Sequence, residues 1–152
     1  MQQSMENGGR IMSEEIVLKG RKISGGRVEG EALVSHDGIC FLAVAVDVSK
    51  GIITEKNHEL EGVCFAGKIL VYPTGKGSTG GSFGLYSLAK YNTAPKAIIN
   101  VRVDPIAAIG AILSNIPMVD QFDQDPTQVI MTGDYLEVDA DKGIVRIKGR
   151  GG

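Results

Sequence analysis

Residues 68–91 read KILVYPTGKGSTGGSFGLYSLAKY. An apolar strand runs into a turn of glycine, serine and threonine, and the turn opens a helix over about residues 82–90 that ends before Ala94 and Pro95. Gly75, Gly77, Gly80 and Gly81 permit tight turning and close backbone approach. Ser78, Thr79 and Ser82 place hydroxyls beside the amides that a helix N-terminus leaves without partners, so a site for anionic groups is expected there.

Downstream of this stretch, AIINVRV at 97–103 reads as a buried strand. Pro105 suits the first turn of a second helix over residues 106–114, and Asn115 with Pro117 stops it. Thr132, Gly133 and Asp134 precede YLEVD, and Asp141, Lys142 and Gly143 turn that strand into GIVRI, a hairpin with clean alternation. Upstream, residues 15–70 hold short β-branched or alternating runs: IVLKGRKI, GRVEGEALVS, ICFLAVAVDV, GIIT and KILVY. Turn residues at 24–26, 37–38, 49–51 and Gly62 separate them, so this half is expected to be mainly β. The fold class expected is a β-rich α/β single domain, with sheets flanking a small α/β centre. Residues 1–14 are expected to be a loose tail, 15–150 the domain, and Met12 is a possible alternative start.

The chain has 152 residues, 43% of them hydrophobic, which suits one proper core with no linker dividing it. Its formal net charge is −2 and its bases are scattered among acids, which is not the footprint of a nucleic-acid binder. The longest apolar runs, 40–46 and 106–113, fall far short of the about 20 residues needed to cross a bilayer. The N-terminus lacks an apolar signal core, so a cytoplasmic location without membrane contact is expected. Two cysteines occur, Cys40 and Cys64, each beside apolar strand-like residues and far from any CxxC spacing. They are expected to be buried thiols, with no metal held by this chain. An iron–sulfur cluster usually takes about four thiolates, so any cluster has to come from a partner.

Several chemistries compete for the glycine turn. Residues 75–80 satisfy GxGxxG between a strand and a helix, with Asp104 at the end of the next strand, as a dinucleotide site would. Against that, a dinucleotide fold needs repeated βαβ units, and here the first half is β-rich. The phosphate loop of nucleotide triphosphatases fails, because Gly81 stands where its lysine belongs. The closing hairpin GDYLEVDADKGIVRI resembles that of the swivelling phosphohistidine domain of phosphotransfer enzymes. The histidine of that domain's glycine-rich turn is missing, since His36 and His58 both precede the turn. A further reading makes Ser78 a general base, its alkoxide stabilised by backbone amides and the helix dipole. Lys76 would then add positive charge or clamp a substrate carboxylate or phosphate. The simpler reading is that Ser78 and Thr79 only cap the helix.

Five motifs in order bear on that choice: ISGGRVEGEALVS, DVSKGIITEKNHELEG, LVYPTGKGSTGGS, APKAIINV and AIGAILSNIPMVD. From about Gly20 to Lys148 the chain resembles the aconitase X small subunit family. That family includes the small subunits of phosphomevalonate dehydratase and cis-3-hydroxy-L-proline dehydratase, and is related to the aconitase swivel domain. The resemblance implies a swivelling β/β/α domain and a hydro-lyase that eliminates water from a hydroxylated acid, with Ser78 as proton acceptor. It implies substrate contacts from Lys76, Gly77, Thr79, Gly80 and Ser82, and from Asp47 and His58 in a loop region facing the active site. An aconitase-like large subunit would supply most substrate contacts and the iron–sulfur cluster or metal, leaving this chain without a cofactor and inactive alone. Many family members carry Arg where this chain has Lys76, which keeps the charge and loses the bidentate fork. On the residues alone, surface exposure of His58, a turn role for Asp47 and helix capping by Asp104 are the plainer assignments. A nucleotide-binding module and a non-catalytic interaction domain stay open as alternatives.

Overall fold

The computed structural model describes residues 15–76 and 80–151; the tail expected at 1–14 and the start at Met12 lie outside them. In chain order come β1 (Ile16–Lys19), β2 (Arg21–Ser24), β3 (Arg27–Val34), β4 (Val46–Asp47), β5 (Ile52–Ile53), β6 (Ile69–Tyr72), α1 (Gly80–Lys90), β7 (Ala97–Asn100), α2 (Pro105–Leu113), β8 (Met118–Asp120), α3 (Pro126–Val129), β9 (Tyr135–Asp139) and β10 (Ile144–Gly149). Eight strands form one sheet in the order β1-β10-β9-β3-β6-β7-β8-β2. Strands β3, β6, β7 and β8 pair in parallel, whereas the β1–β10, β10–β9, β9–β3 and β8–β2 pairs are antiparallel. Gly20 alone separates β1 from β2, so the first and last strands in this order are consecutive pieces of one chain and the sheet closes on itself. Strand β3 makes the other corner: Arg27–Glu31 pair with β9, and Ala32–Val34 pair with β6.

Parallel strands buried on both faces read as continuous apolar runs, and ILVY and AIIN are such runs. Their alternation splits the interior in two. Ile69, Val71, Ala97, Ile99 and Val119 pack against Leu18, Leu136, Val138 and Val145 of the antiparallel strands. Leu70, Tyr72, Ile98 and Met118 point the other way, onto Leu85 and Leu88 of α1 and Ala107 and Ala111 of α2. The layers are therefore sheet, sheet and helix, the β-rich α/β architecture expected from the sequence. A doubly wound dinucleotide fold would carry helices on both faces of the parallel strands; here the second face is covered by antiparallel sheet.

The helix boundaries follow local chemistry. Asp104 caps α2, its Oδ1 accepting from the Ile106 and Ala107 amides at 3.0 Å each, and Pro105 stands at the first helical position. Asn115, with φ 57°, ends that helix in the left-handed region. The 9–10 hairpin pairs Ile144 with Asp139 and Val145 with Val138, as its alternation predicts. A buried carboxylate holds the far edge: Asp120 accepts from Arg21 Nε and a terminal guanidinium nitrogen at 2.9 and 3.0 Å, and from the Val103 amide at 2.9 Å.

Two expectations are corrected. Of the expected strand ICFLAVAVDV at 39–48, only Val46–Asp47 form one, β4. Ile39 makes a single parallel bridge to Gly75, the Ala45 and Val46 amides turn back onto the Leu42 carbonyl at 2.8 and 3.1 Å, and pairing resumes only where β4 meets β5. Phe41 and Val46 reach the helix-side core, while Val44 is 85% exposed. Cys64 is exposed and Cys40 only half-buried, because alternation through residues 63–65 turns Phe65 inward and Cys64 outward. The short helix α3, capped by Asp125 before Pro126, was not anticipated.

Gly84 marks the tightest join between α1 and this rebuilt loop, since a methyl group there would overlap the Phe41 carbonyl oxygen. Gly84→Ala is expected to destabilise the chain by about 3 kcal/mol through overpacking against backbone. Urea unfolding monitored by circular dichroism checks this, and an unchanged midpoint would refute the join.

Candidate functional site

Strands β6 and β7 run in parallel with Tyr72 opposite Asn100, and each leads at its C-terminal end into a helix. The N-termini of α1 and α2 consequently open at the same end of the sheet. The positive ends of two helix dipoles converge on that mouth.

The segment leading into the glycine turn is held from both sides. The Pro73 carbonyl accepts from the Val101 and Arg102 amides at 3.0 and 3.1 Å, which ties the end of β6 to the loop after β7. Gly75 bridges in parallel to Ile39: the Lys76 amide donates to the Ile39 carbonyl at 3.0 Å, and the Ile39 amide donates to the Thr74 carbonyl at 3.3 Å. On its other side Gly75 lies against Asp104 Oδ2, where any Cβ would overlap the carboxylate. Asp104 thus does two jobs, capping α2 with one oxygen and packing on the glycine turn with the other. That is why Gly75 has to be glycine. Gly77, Ser78 and Thr79 lie outside the described residues; Gly80, the first residue of α1, lies within them.

Lys76 is exposed, and its Nζ meets Glu55 Oε2 at 2.8 Å. This hydrogen bond, more than the charge of Glu55 or Asp37, holds the ammonium pKa above its ordinary value of 10.5. Glu55 lies in the DVSKGIITEKNHELEG stretch but carries no local signal that would pair it with Lys76 from sequence; only the return of that loop to the glycine turn brings the two together. Ser82 sits half-buried in the first turn of α1 and lines a groove with Phe83, Tyr86, Ile109 and Leu113.

His58 is buried, not on the surface. Its Nε2 contacts the Gly38 carbonyl at 2.8 Å and its Nδ1 accepts from the Leu60 amide at 2.9 Å, a pairing that requires the proton on Nε2. His58 therefore braces the loop behind Lys76. Asp47 closes its own turn, accepting from the Ser49 amide at 3.0 Å and the Ser49 hydroxyl at 2.7 Å, and this hydroxyl is the main reason its pKa falls. It lines a shallow depression with Tyr91, next to the C-terminus of α1, and so lies about 16 Å of helix away from the glycine turn.

At the ends of β6 and β7, Tyr72 and Asn100 are fully buried. The Asn100 amide nitrogen donates to the Tyr72 carbonyl at 3.0 Å, while among the described residues Tyr72 Oη and Asn100 Oδ1 find no hydrogen-bond partner. Burial, reinforced by the charge of Asp104, pushes the Tyr72 hydroxyl pKa far above the usual tyrosine value. The donors of this chain do not suit a metal cluster. It has two cysteines, with Cys40 Sγ accepting from the Leu42 amide and Cys64 near the Lys50 carbonyl, and among the described residues no group of three or more His, Cys, Asp or Glu gathers. Among the same residues no helix is long and apolar enough to cross a membrane.

Comparison with known proteins converges on one family. The aconitase X swivel domain profile matches residues 17–147. The phosphomevalonate dehydratase small subunit of Thermococcus kodakarensis is 51% identical over 130 residues, covering 86% of this chain and 95% of that protein. The protein of the same name from Methanocella arvoryzae is 48% identical over 130 residues, covering 86% of this chain and 98% of that protein. The crystal structure of holo aconitase X from Thermococcus kodakaraensis superposes with a TM-score of 0.82 at 49% identity, covering 87% of this chain and 98% of the matched one.

The Lys76–Glu55 pair has a defined pH signature. A cation whose folded pKa is raised contributes stability that is fully present below its unfolded pKa and is lost as pH rises through the folded value. The contribution is small because both side chains are part-exposed. A carbon-13 lysine titration is expected to place the Lys76 midpoint above 10.5 and to lower it in Glu55→Gln. Identical midpoints in the two proteins would mean that the pair does not persist in solution.

Proposed function

Because this chain belongs to the aconitase X swivel domain family, we propose that it is the small subunit of a two-chain hydro-lyase that dehydrates 5-phosphomevalonate, with Ser78 as the general base. The observation that carries this reading is the conjunction of the GKGST turn with its mouth. In sequence, GKGST at 75–79 links Gly75, which packs on Asp104, to the first turn of an 11-residue helix, in a chain alike over most of its length to subunits named for that reaction. The phosphomevalonate substrate is favoured over cis-3-hydroxy-L-proline because the relatives described above carry the former name.

In this mechanism the Ser78 oxygen, stabilised as an alkoxide by backbone amides and the α1 dipole, takes a proton from the carbon beside the substrate carboxylate. The electrons of that C–H bond form the C=C bond as the C–O bond of the neighbouring carbon breaks, and the departing hydroxide combines with the proton that Ser78 took, releasing one water and restoring the base. Lys76 holds a carboxylate or phosphate oxygen as a point charge, since it lacks the fork of an arginine. Gly77, Thr79, Gly80 and Ser82 present amides and hydroxyls to the same anion. His58 and Asp47 support the surrounding loops. The large subunit would supply an iron–sulfur cluster or metal to assist hydroxide departure, so the isolated small subunit has no turnover. The rival nucleotide-binding reading lacks support, because the fold does not provide helices on both faces of the parallel strands.

With the two-chain enzyme assembled, Ser78→Ala is expected to lower turnover of 5-phosphomevalonate by about a thousandfold while leaving subunit pairing intact. Full activity in that variant would remove the base assignment and favour a non-catalytic role for the domain. Turnover of cis-3-hydroxy-L-proline alone would transfer the reading to the other substrate.

A further inference from the structure

On the functional reading above, Lys76 meets an anion of the substrate, yet its ammonium is already engaged by a carboxylate of its own chain. Lys76 Nζ lies 2.8 Å from Glu55 Oε2, a charge-assisted hydrogen bond. The backbones on either side of this contact are tied down. The Lys76 amide donates to the Ile39 carbonyl at 3.0 Å, the Glu55 amide donates to the Ala45 carbonyl at 3.2 Å, and the Glu55 carbonyl accepts from the His58 amide at 3.4 Å. The side chains are not tied down in the same way. Lys76 is 46% exposed and Glu55 31%, so the two can part and be rehydrated while the fold stays as it is.

The carboxylates that hold this fold together look different. Asp120 is fully buried and accepts from two Arg21 nitrogens and the Val103 amide. Asp134, also fully buried, accepts from the Met131 and Gly151 amides and meets the Arg150 guanidinium. Among the described residues, Lys76 is the single hydrogen-bond partner of the Glu55 carboxylate. A carboxylate with one partner and access to water is bound to that partner reversibly.

The contact also changes what Lys76 can attract. An ammonium is a compact charge with three donors, and one of them is spent on Glu55. An anionic oxygen on a second donor would stand about 5 Å from the Glu55 oxygen, and because Coulomb energy falls only as 1/r, the carboxylate would cancel more than half of the ammonium's attraction. Lys76 therefore presents its full charge to a ligand only when Glu55 has let go.

We propose that Glu55 is an internal competitor that sets the affinity of the glycine turn for anions: its carboxylate holds the Lys76 ammonium until an anionic oxygen of the substrate, phosphate or carboxylate, displaces it. The inference rests on the reading of Lys76 as a contact for that anion. A ligand's apparent affinity is reduced by the fraction of time its site is competent, so an exposed pair of ordinary strength lowers it about fivefold.

The test has two parts. The full chain is titrated with inorganic phosphate while the carbon-13 Cε resonance of Lys76 is followed, and the two-chain enzyme is assayed on 5-phosphomevalonate. Glu55→Gln is expected to tighten phosphate binding about fivefold and to lower KM by a similar factor with kcat unchanged, because the pair acts on binding alone. Asp37 is the other carboxylate whose charge reaches the Lys76 ammonium. Asp37→Asn, which removes that charge and leaves the Lys76–Glu55 contact in place, is expected to change either quantity less than about twofold. Circular dichroism establishes that each variant is folded. Phosphate binding or KM that is unchanged or weakened in folded Glu55→Gln overturns the proposal, since Glu55 would then only brace Lys76. An equal gain in Asp37→Asn overturns it in favour of a general field effect, and a Lys76 resonance that phosphate does not move in either protein overturns it outright. A wild-type two-chain enzyme with no turnover of 5-phosphomevalonate refutes the dehydratase reading instead, and the phosphate titration of the chain still decides the role of Glu55.

Discussion

The structure depends on the requirement that three short parallel strands bury both of their faces. The side chains of ILVY, AIIN and MVD are buried on both faces and, apart from the terminal Asn100 and Asp120, are apolar or aromatic, so each strand needs a cover on either side. One cover is the antiparallel sheet that returns through Gly20 and β3. The other is the helix pair. Because both helices follow their strands directly, their N-termini are carried to one end of the sheet, and that end becomes the mouth of the site. The placement of the glycine turn is thus a consequence of core burial before it is a consequence of chemistry.

Asp104 connects the two requirements. Its cap on α2 fixes one helix, and its second oxygen fills the space above Gly75, so the approach to the turn and the start of the neighbouring helix share a single carboxylate. On the opposite flank the 36–62 loops supply bracing: His58 through Gly38 and Leu60, Glu55 through Lys76, and Ile39 through the Gly75 bridge. This side of the mouth is built from segments with little regular structure. Its shape therefore rests on side-chain and single backbone hydrogen bonds, each worth about 1 kcal/mol net, where the sheet has continuous ladders. Among the described residues, Tyr72 Oη and Asn100 Oδ1 at the ends of β6 and β7, together with Ser114 Oγ after α2, are buried side-chain oxygens without a hydrogen-bond partner.

Much of the arrangement was legible in the sequence because it is governed by local rules. Strand, turn and helix at 68–91, the Asp104 cap before Pro105, the stop at Asn115 and the 9–10 hairpin all follow from periodicity, capping and turn chemistry within a few residues. The run at 39–48 keeps strand pairing only at its ends, in the Ile39 bridge to Gly75 and in β4, while the backbone between turns onto Leu42, a division that no local pattern encodes. Cys64 was misplaced because composition cannot say which side of a short bridge faces outward. His58 was expected on the surface because a histidine with two backbone partners looks, in sequence, like any other loop histidine.

The sequence by itself determined the element types, the turn that can receive an anion and the motif order that ties the chain to its family, since each of these is written in neighbouring residues. Tertiary structure alone decided that Glu55 neutralises Lys76, that Asp104 packs on Gly75, and that Asp47 stands at the far end of α1. Those facts depend on which segments meet across distances of 20 to 30 residues or more along the chain. Such meetings are set by the joint burial of two cores, which no local pattern encodes.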